Sequence, residues 1–262
     1  MPGIEWSTMN HRLQSKVIIV TGGTSGMGSA FARRAASEGA TVIIGARDKE
    51  RGKATVAEIT AEGGTAAFVP TDVTVEEEVA SLVDVAVRDF GGLHGAFNNA
   101  GGGNSQGAIR NIDAPFWDSV IALNMTSVFY SLKYEIPAIV ASGGGSIVNN
   151  ASVDGVVGDP AAVAYSAAKH GVVGLTRSAA LDTAKENVRV NALVTGLVDT
   201  PLWRGHVQRN PEAASAMLNL QPTGRAADEA EIAAFTAFLL SDESPFITGA
   251  ALAIDGALTA GV

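Results

Sequence analysis

The sequence contains no cysteine. Disulfide bonds and thiolate metal sites are therefore excluded, and this absence fits a reducing compartment without requiring one. Long apolar runs are absent as well, since no window approaches the about 18 uninterrupted apolar residues of a membrane-spanning helix. Residues 1–14 are mixed and polar and lack the apolar stretch of a secretory signal peptide. We therefore expect a soluble cytoplasmic protein with no membrane partner.

Positive charge is also scarce. The chain has 18 lysines and arginines against 27 aspartates and glutamates, which gives a formal net charge of −9. No basic stripe is present, so we expect no nucleic-acid partner. The 4 histidines do not stand at metal-ligand spacings, and we expect no metal site.

Apolar residues and glycines are abundant. Of the 262 residues, 47% are hydrophobic, which is typical of a compact protein with a large core. The 30 glycines are scattered among apolar runs and indicate turns and close approaches rather than disorder. We expect a single domain over residues 16–262, preceded by a loosely held extension over residues 1–15.

Short β-branched runs alternate with helical patterns along the chain. Strands are predicted over residues 16–20, 41–46, 66–69, 93–98, 146–150, 188–194 and 251–254, and the first two have the pattern of strands buried on both faces. Helices are predicted over residues 29–38, 48–62, 75–90, 115–141, 163–185 and 228–240. This alternation predicts an α/β fold, in which a doubly wound parallel sheet carries helices on both faces.

A glycine loop follows the first predicted strand. Gly22, Gly26 and Gly28 stand at the spacing G-x-x-x-G-x-G before a helix. Glycines there allow a tight turn, a close backbone approach to a pyrophosphate and a helix N-terminus directed at that anion. The loop indicates a dinucleotide site, although three glycines alone also fit a plain turn. Its other predicted cofactor contacts are Thr24, Ser25 and Met27.

The end of the second predicted strand bears on the choice of dinucleotide. An acidic residue there would bind the ribose 2′-hydroxyl of NAD, whereas an arginine accommodates the 2′-phosphate of NADP. Arg47 is the first charge available, so NADP(H) is favoured and NAD(H) is not excluded. Alternatively, Arg47 is simply solvated and Asp48 caps the next helix. Asp72, followed by Val73, fits an adenine contact and a turn acid about equally.

Tyr165 and Lys169 stand four residues apart in a helical segment, which places them on one helix face. An ammonium beside a phenol favours the phenolate, so we expect the tyrosine pKa to move down from about 10 toward neutrality. Such a group suits general acid–base catalysis. Because ligands of open α/β sheets bind at the carboxyl ends of the strands, the glycine loop and residues 98–103 and 150–152 should surround the pair.

Five motifs in this order resemble those of the short-chain dehydrogenases/reductases, in their single-domain branch. They are Thr21-Gly22-x-x-x-Gly26-x-Gly28, Asn98-Asn99-Ala100-Gly101, Asn124, Ser152 and Tyr165-x-x-x-Lys169. The resemblance extends from residue 16 to the C-terminus. It implies a Rossmann-like fold and an NAD(P)-dependent enzyme that interconverts a secondary alcohol and a ketone.

The resemblance also implies a role for each catalytic residue. Tyr165 is the general acid in reduction and the base in oxidation, while Lys169 tunes the phenol and holds the nicotinamide ribose. Ser152 binds the substrate oxygen, and Asn124 holds a water of a proton relay. Further cofactor contacts are implied for Asn99, Ala100, Gly101, Gly196, Val198 and Thr200.

Plainer interpretations stay open at these positions. Ser152 fits a strand-end hydroxyl that satisfies backbone groups, and Asn124 fits a helix cap or kink. Asn98 and Asn99 fit turn residues. Two alternatives remain for the whole protein. One is an NAD(H)-dependent alcohol, polyol or diol dehydrogenase, and the more remote one is a non-catalytic dinucleotide-sensing protein. A serine hydrolase is disfavoured because residues 150–154 do not form a G-x-S-x-G elbow.

The sequence departs from the family pattern twice. Thr195-Gly196 stands where Pro-Gly is common, and Gly196 should still let the backbone approach the nicotinamide. Asp255-Gly256-Ala257 stands where Asp-Gly-Gly is usual, a change that we expect to affect packing rather than chemistry.

Residues 196–222 resemble the family's mobile substrate lid, and long loops of this kind are usually functional. Their apolar side chains predict a hydrophobic ketone or alcohol as the substrate. The predicted substrate contacts are Ser152, Val153, Asp154, Tyr165, Leu202 and Trp203. We expect His206 to be an exposed loop residue and His170 to point away from the catalytic face. Because the family pairs two of its helices between subunits, we expect a homotetramer, with a dimer as the fallback.

Overall fold

The structure, a computed structural model, describes residues 11–102 and 107–261. Its strands are β1 (Val17–Thr21), β2 (Thr41–Ala46), β3 (Thr65–Pro70), β4 (Gly95–Asn98), β5 (Gly145–Asn150), β6 (Val188–Thr195) and β7 (Ala251–Ile254). They pair in parallel in the order β3-β2-β1-β4-β5-β6-β7. The strand order reverses between β1 and β4, which is the switch point of a doubly wound sheet. The predicted Rossmann-like α/β fold is confirmed.

Helices cover both faces of the sheet. They are α1 (Gly26–Ser37), α2 (Lys49–Ala61), α3 (Glu76–Phe90), α4 (Ala114–Ile121), α5 (Ser127–Ala141), α6 (Val163–Thr183), α7 (Pro201–Arg209), α8 (Pro211–Asn219) and α9 (Glu229–Leu240). Helices α1, α2 and α9 pack on one face, and α3, α5 and α6 pack on the other. Within the described ranges, no helix is both long enough and apolar enough to cross a bilayer.

Strand β1 shows why an inner strand of this sheet is rich in apolar residues. Ile18 and Val20 pack with the α1 and α9 layer, whereas Val17 and Ile19 pack with the α3 and α5 layer. Successive side chains of a strand point to opposite faces, so a strand covered on both sides is a nearly continuous apolar run. This packing holds the end of β1, and the glycine loop that follows it, at the switch point.

Residues 11–15 are held more firmly than predicted. Leu13 is fully buried in the core beside α1. Arg12 donates two hydrogen bonds, of 2.9 and 2.8 Å, to the buried carboxylate of Glu38. The prediction of a loose extension is therefore wrong for residues 11–15, because a buried leucine and a buried ion pair tie them to α1. Residues 1–10 lie outside the described residues.

The helix predicted over residues 115–141 is interrupted. A π-helical turn over residues 122–126 joins α4 to α5, and Asn124 lies inside that turn. The prediction of one regular helix is wrong here, while the kink interpretation of Asn124 agrees with the structure. Such turns occur frequently at functional sites.

The predicted lid, residues 196–222, contains helices α7 and α8 rather than a long loop. Pro201 and Pro211 stand at the first positions of these helices. Proline at the first helical position favours the start of a helix because its missing N–H has no partner to lose. The hydroxyl of Thr200 caps α7 by accepting the N–H of Trp203 at 3.2 Å.

Candidate active site

A cleft of about 750 Å³ opens at the carboxyl edge of the sheet. The loops after β1 to β5 line it, together with α6 and the start of α7. The predicted cofactor residues in its wall are Gly22, Thr24, Ser25, Gly26, Met27, Arg47, Asp72, Val73, Asn99, Ala100, Gly101, Tyr165, Lys169 and Thr200. The fold thus brings residues from six separate stretches of the chain to one surface.

Three predicted cofactor residues do not line the cleft. A Cβ atom on Gly28 would lie 2.4 Å from the backbone oxygen of Gly22, so this glycine lets α1 pack closely against the loop. A Cβ atom on Gly196 would lie 2.9 Å from the Cα of Asp255, so its close approach is to that residue. Val198 is buried in the core. The predicted nicotinamide contacts of Gly196 and Val198 therefore find no support in this structure.

The glycine loop leaves the start of α1 open to an anion. Gly22 and Gly26 have φ angles of +67° and +57°, which glycine adopts without strain. Ser25 makes no side-chain cap, and the first turn of α1 has no acidic residue. The first N–H groups and the positive dipole end of the helix therefore face the cleft without a side-chain partner, which fits the pyrophosphate of a dinucleotide.

The adenosine end of the cleft carries two arginines, Arg47 and Arg51. Asp48 lies beside them, but its carboxylate is hydrogen-bonded to the first turn of α2. Its Oδ1 accepts the N–H groups of Glu50 and Arg51 at 3.1 and 3.0 Å, and its Oδ2 lies 3.2 Å from Nε of Arg51. Asp48 therefore caps α2, as one alternative held. Arg51, one helical turn after that cap, was not among the residues predicted from the sequence.

Asp72 and Asn99 hold the neighbouring loops in place. Oδ1 of Asp72 accepts the N–H and the hydroxyl of Thr74 at 3.0 and 2.7 Å, and these bonds lower the pKa of Asp72. The N–H of Asn99 donates to the hydroxyl of Thr21 at 3.0 Å, and its side chain donates to the Thr21 carbonyl at 3.2 Å. Both residues therefore make the turn contacts of the plainer interpretation while they line the cleft.

Lys169 lies deep in the site, on the same face of α6 as Tyr165. Its Nζ lies 5.4 Å from the centroid of the Tyr165 ring and donates to the backbone oxygen of Asn150 at 2.6 Å. The residue is only 2% exposed. Burial lowers the pKa of Lys169 to about 8, against an opposing effect of the Asp154 charge, so the ammonium is mostly charged at neutral pH. The Asn150 carbonyl is a further group of the site that was not predicted from the sequence.

The pKa of Tyr165 contradicts the expectation from its spacing. Burial raises it to about 12, the hydrogen bond with Ser152 lowers it, and the charge of Asp154 raises it. The predicted decrease caused by Lys169 is not found, because burial disfavours the phenolate and the ammonium is directed at the Asn150 carbonyl. At neutral pH the phenol is therefore protonated and can donate its proton.

The Ser152 hydroxyl contacts the turn that follows it and also acts on the phenol of Tyr165. Its Oγ accepts the N–H of Asp154 at 3.2 Å, which is the strand-end role of the plainer interpretation. The same hydroxyl lowers the pKa of the Tyr165 phenol. Of the predicted substrate contacts, Tyr165 and Leu202 line the cleft, whereas Ser152, Val153, Asp154 and Trp203 do not.

Asn124 is held by both ends of its side chain. Its Oδ1 accepts the N–H of Gly102 at 3.0 Å, and its Nδ2 donates to the Val120 carbonyl at 3.0 Å. A Cβ atom on Gly101 would lie 2.9 Å from this Oδ1 and 3.6 Å from Nζ of Lys169, so the amide and the ammonium flank the same glycine. The water relay through Asn124 stays a prediction.

Two histidines lie near the site. His206 is half-buried in α7 with its ring stacked on Trp203 at 5.7 Å, so its prediction as an exposed loop residue is wrong. The cause is the unexpected helix, which turns one side of this segment inward. His170 is exposed, and its Nδ1 lies 2.9 Å from the Ser166 carbonyl. Among the residues that the structure describes, no group of histidine and acidic side chains could hold a metal ion.

Known proteins share both the sequence and the fold. A family model described as enoyl-(acyl carrier protein) reductase matches residues 22–259. Cyclohexanol dehydrogenase from Acinetobacter sp. (strain SE19) is 40% identical over 251 residues, which are 96% of this chain and 98% of that protein. A 2,5-dichloro-2,5-cyclohexadiene-1,4-diol dehydrogenase from Sphingobium indicum is 42% identical over 249 residues, with coverages of 95% and 98%. The chain belongs to the short-chain dehydrogenase/reductase family.

A solved structure agrees with this assignment. The crystal structure of levodione reductase matches with a TM-score of 0.90 at 35% identity, over 95% of this chain and 99% of that one. As a short-chain dehydrogenase/reductase, the protein is an NAD(P)-dependent oxidoreductase that acts on CH–OH donors. The family resemblance and the enzyme class predicted from the motifs are confirmed.

Proposed function

We propose that the protein interconverts a hydrophobic alicyclic secondary alcohol and the corresponding ketone, with NADP(H) as its preferred cofactor. The observation that carries the proposal is the position of Tyr165 beside the buried ammonium of Lys169, 5.4 Å from its ring centroid, in the wall of a dinucleotide-sized cleft. Relatives named for cyclohexanol and for a cyclohexadiene diol support a ring-shaped substrate.

The proposed chemistry needs three groups of this chain. When bound, the nicotinamide supplies or accepts the hydride. The Ser152 hydroxyl binds the substrate oxygen, and the Tyr165 phenol donates its proton to that oxygen as the carbonyl becomes an alcohol. In oxidation the phenolate takes the proton back. The Lys169 ammonium stabilises this phenolate by charge, and its position beside the cleft also suits it to hold ribose hydroxyls.

The substrate class can be tested with a panel of alicyclic and open-chain alcohols and ketones, followed at the nicotinamide absorbance. We expect the highest kcat/KM for six-membered rings. The proposal would be overturned if no secondary alcohol or ketone gave dinucleotide-dependent turnover, and that result would favour the alternative of a dinucleotide-sensing protein.

The cofactor preference rests on the charges at the adenosine end. Arg47 and Arg51 line that end, and the carboxylate of Asp48 is committed to capping α2 rather than to a ribose hydroxyl. Two arginines suit a 2′-phosphate, which guanidinium groups bind through paired hydrogen bonds.

Kinetics with both dinucleotides test this preference. We expect Arg47→Asp to lower the ratio of kcat/KM for NADP⁺ over NAD⁺ by at least about tenfold, equivalent to about 1.4 kcal/mol. Arg88→Asp, on α3 at the opposite edge of the sheet, is the control and should leave the ratio unchanged. A wild-type preference for NAD⁺ would select the alternative of an NAD(H)-dependent alcohol, polyol or diol dehydrogenase.

We also propose a homotetramer. Phe129 of α5 and Leu181 of α6 are exposed on the two helices for which the family resemblance implied subunit contacts, and Phe246, ahead of β7, is exposed as well. Exposed large apolar side chains of this kind often mark interfaces. Light scattering that gave a monomer would contradict the proposal. The cytoplasmic location stays a prediction.

A further inference from the structure

Asp154 is a carboxylate beside the catalytic hydroxyls that the proposed chemistry does not use. It lies in a short 3-10 turn, Val153–Gly155, directly after Ser152. Its backbone N–H donates to Oγ of Ser152 at 3.2 Å. Its carboxylate, by contrast, forms no hydrogen bond and no ion pair with the residues that the structure describes, although the side chain is half-buried. A half-buried carboxylate without a protein partner can accept a hydrogen bond from a ligand. Like Ser152, Asp154 lies outside the lining of the dinucleotide cleft, so that ligand is not the cofactor.

The turn that carries Asp154 is fixed against the catalytic helix. A Cβ atom on Gly155 would lie 2.9 Å from the backbone oxygen of Lys169, so the turn is seated directly on α6. The N–H of Gly155 also donates to the Ser152 carbonyl at 2.9 Å. Asp154 therefore keeps a constant position relative to Ser152, which is what a binding group requires.

The charge of Asp154 reaches the reacting groups. It raises the pKa values of both Tyr165 and Lys169, and the backbone N–H of Asp154 is hydrogen-bonded to the Ser152 hydroxyl. Burial and the nearby Asp159 raise the pKa of Asp154 itself to about 6, whereas His170 and Lys169 act in the opposite direction. At neutral pH most molecules therefore carry an ionised Asp154, which accepts hydrogen bonds and donates none.

We propose that Asp154 determines substrate specificity by accepting a hydrogen bond from a second hydroxyl of the substrate. The preferred substrate is then a diol, or its hydroxyketone product, whose first oxygen meets Tyr165 and Ser152. A substrate that carries a carboxylate in place of the second hydroxyl is repelled. The inference rests on the proposed function, because both concern the same site.

The test compares cyclohexane-1,4-diol, cyclohexanol and 4-hydroxycyclohexanecarboxylate as substrates of the wild type and of two variants. Asp154→Ala removes both charge and acceptor, and Asp154→Asn removes only the charge. We expect the wild type to prefer the diol to cyclohexanol in kcat/KM, and Asp154→Ala to lower this ratio about tenfold through KM of the diol, since hydrogen bonds to charged groups are worth that much or more. Both variants should improve the ratio of the carboxylate substrate to cyclohexanol.

Asp159→Asn is the matched control, because Oδ1 of this neighbouring carboxylate already accepts the N–H of Ala161 at 2.8 Å. It should leave both ratios close to those of the wild type. The inference is overturned if either Asp154 variant is shown by circular dichroism to be folded and yet keeps the wild-type ratios of kcat/KM for both the diol and the carboxylate substrate over cyclohexanol. If the wild type oxidises neither cyclohexanol nor the diol, the proposed function fails and this inference fails with it, so the two failures are distinguishable.

Discussion

Glu135 of α5 offers the sharpest test of how burial sets proton affinities in this protein. Its side chain is 1% exposed, and its Oε2 accepts a hydrogen bond of 2.9 Å from Nδ2 of Asn98. Burial raises the pKa of Glu135 from 4.5 to about 7, and the bond from Asn98 opposes this only in part. The folded protein therefore binds this proton more tightly than the unfolded chain does.

The sign and size of the effect on stability follow from that difference. For a carboxyl whose pKa is raised on folding, the stabilising contribution is complete below pH 4.5 and is lost as the pH rises to about 7. At about 1.4 kcal/mol for each tenfold change in the ionisation constant, the loss above pH 7 is about 3 kcal/mol. Glu135→Gln removes this titration and keeps a carbonyl acceptor for Asn98.

The assay is urea unfolding at several pH values. The free energy of unfolding of Glu135→Gln should exceed that of the wild type by about 1 kcal/mol at pH 5.5 and by about 3 kcal/mol at pH 8. Glu62→Gln, at the exposed C-terminal cap of α2, should show no such trend. A difference that does not change with pH, or a variant less stable than the wild type at pH 8, would refute the reasoning.

Three further predictions concern the backbone and the phenol. Ala257 has a φ of +71°, so Ala257→Gly should raise the free energy of unfolding by about 0.5–1 kcal/mol in urea titration, and a decrease would contradict this. Gly28→Ala places a Cβ atom 2.4 Å from the Gly22 oxygen and should weaken dinucleotide binding by about tenfold in a fluorescence titration; unchanged affinity would show that the loop adjusts freely. Because oxidation needs the Tyr165 phenolate and its pKa is about 12, kcat for oxidation should rise between pH 6 and pH 8 while kcat for reduction stays nearly constant. A flat oxidation profile would count against Tyr165 as the base.

The inner strands of the sheet could be predicted from sequence because they are buried on both faces, which makes positions 17–20 of β1 apolar. The glycine loop and the Tyr165–Lys169 spacing could also be recognised from the sequence, because each depends on local geometry alone. The helices of the predicted lid were missed because Pro201 and Pro211 indicate a helix start as readily as a break.

Properties that depend on tertiary packing were out of reach of the sequence. The pKa of Tyr165 rises because distant segments bury the phenol, and nothing in the spacing to Lys169 shows this. Leu13 is another case, since a leucine near the N-terminus becomes core only once α1 and β1 are in place. At Ala257 we expected a packing change, whereas the structure shows a positive φ, which becomes visible only with the backbone.

The central claim is that Tyr165 transfers the proton that accompanies hydride transfer. It is tested most directly by kcat of Tyr165→Phe for an alicyclic alcohol, with the dinucleotide Kd measured alongside. We predict a loss of about 10²–10⁴-fold in kcat at a nearly unchanged Kd. Tyr134→Phe is the control, because Tyr134 does not line the cleft and its hydroxyl donates a hydrogen bond of 2.9 Å to Glu76. This variant should keep wild-type kcat. Retention of a tenth or more of wild-type kcat by Tyr165→Phe would contradict the account.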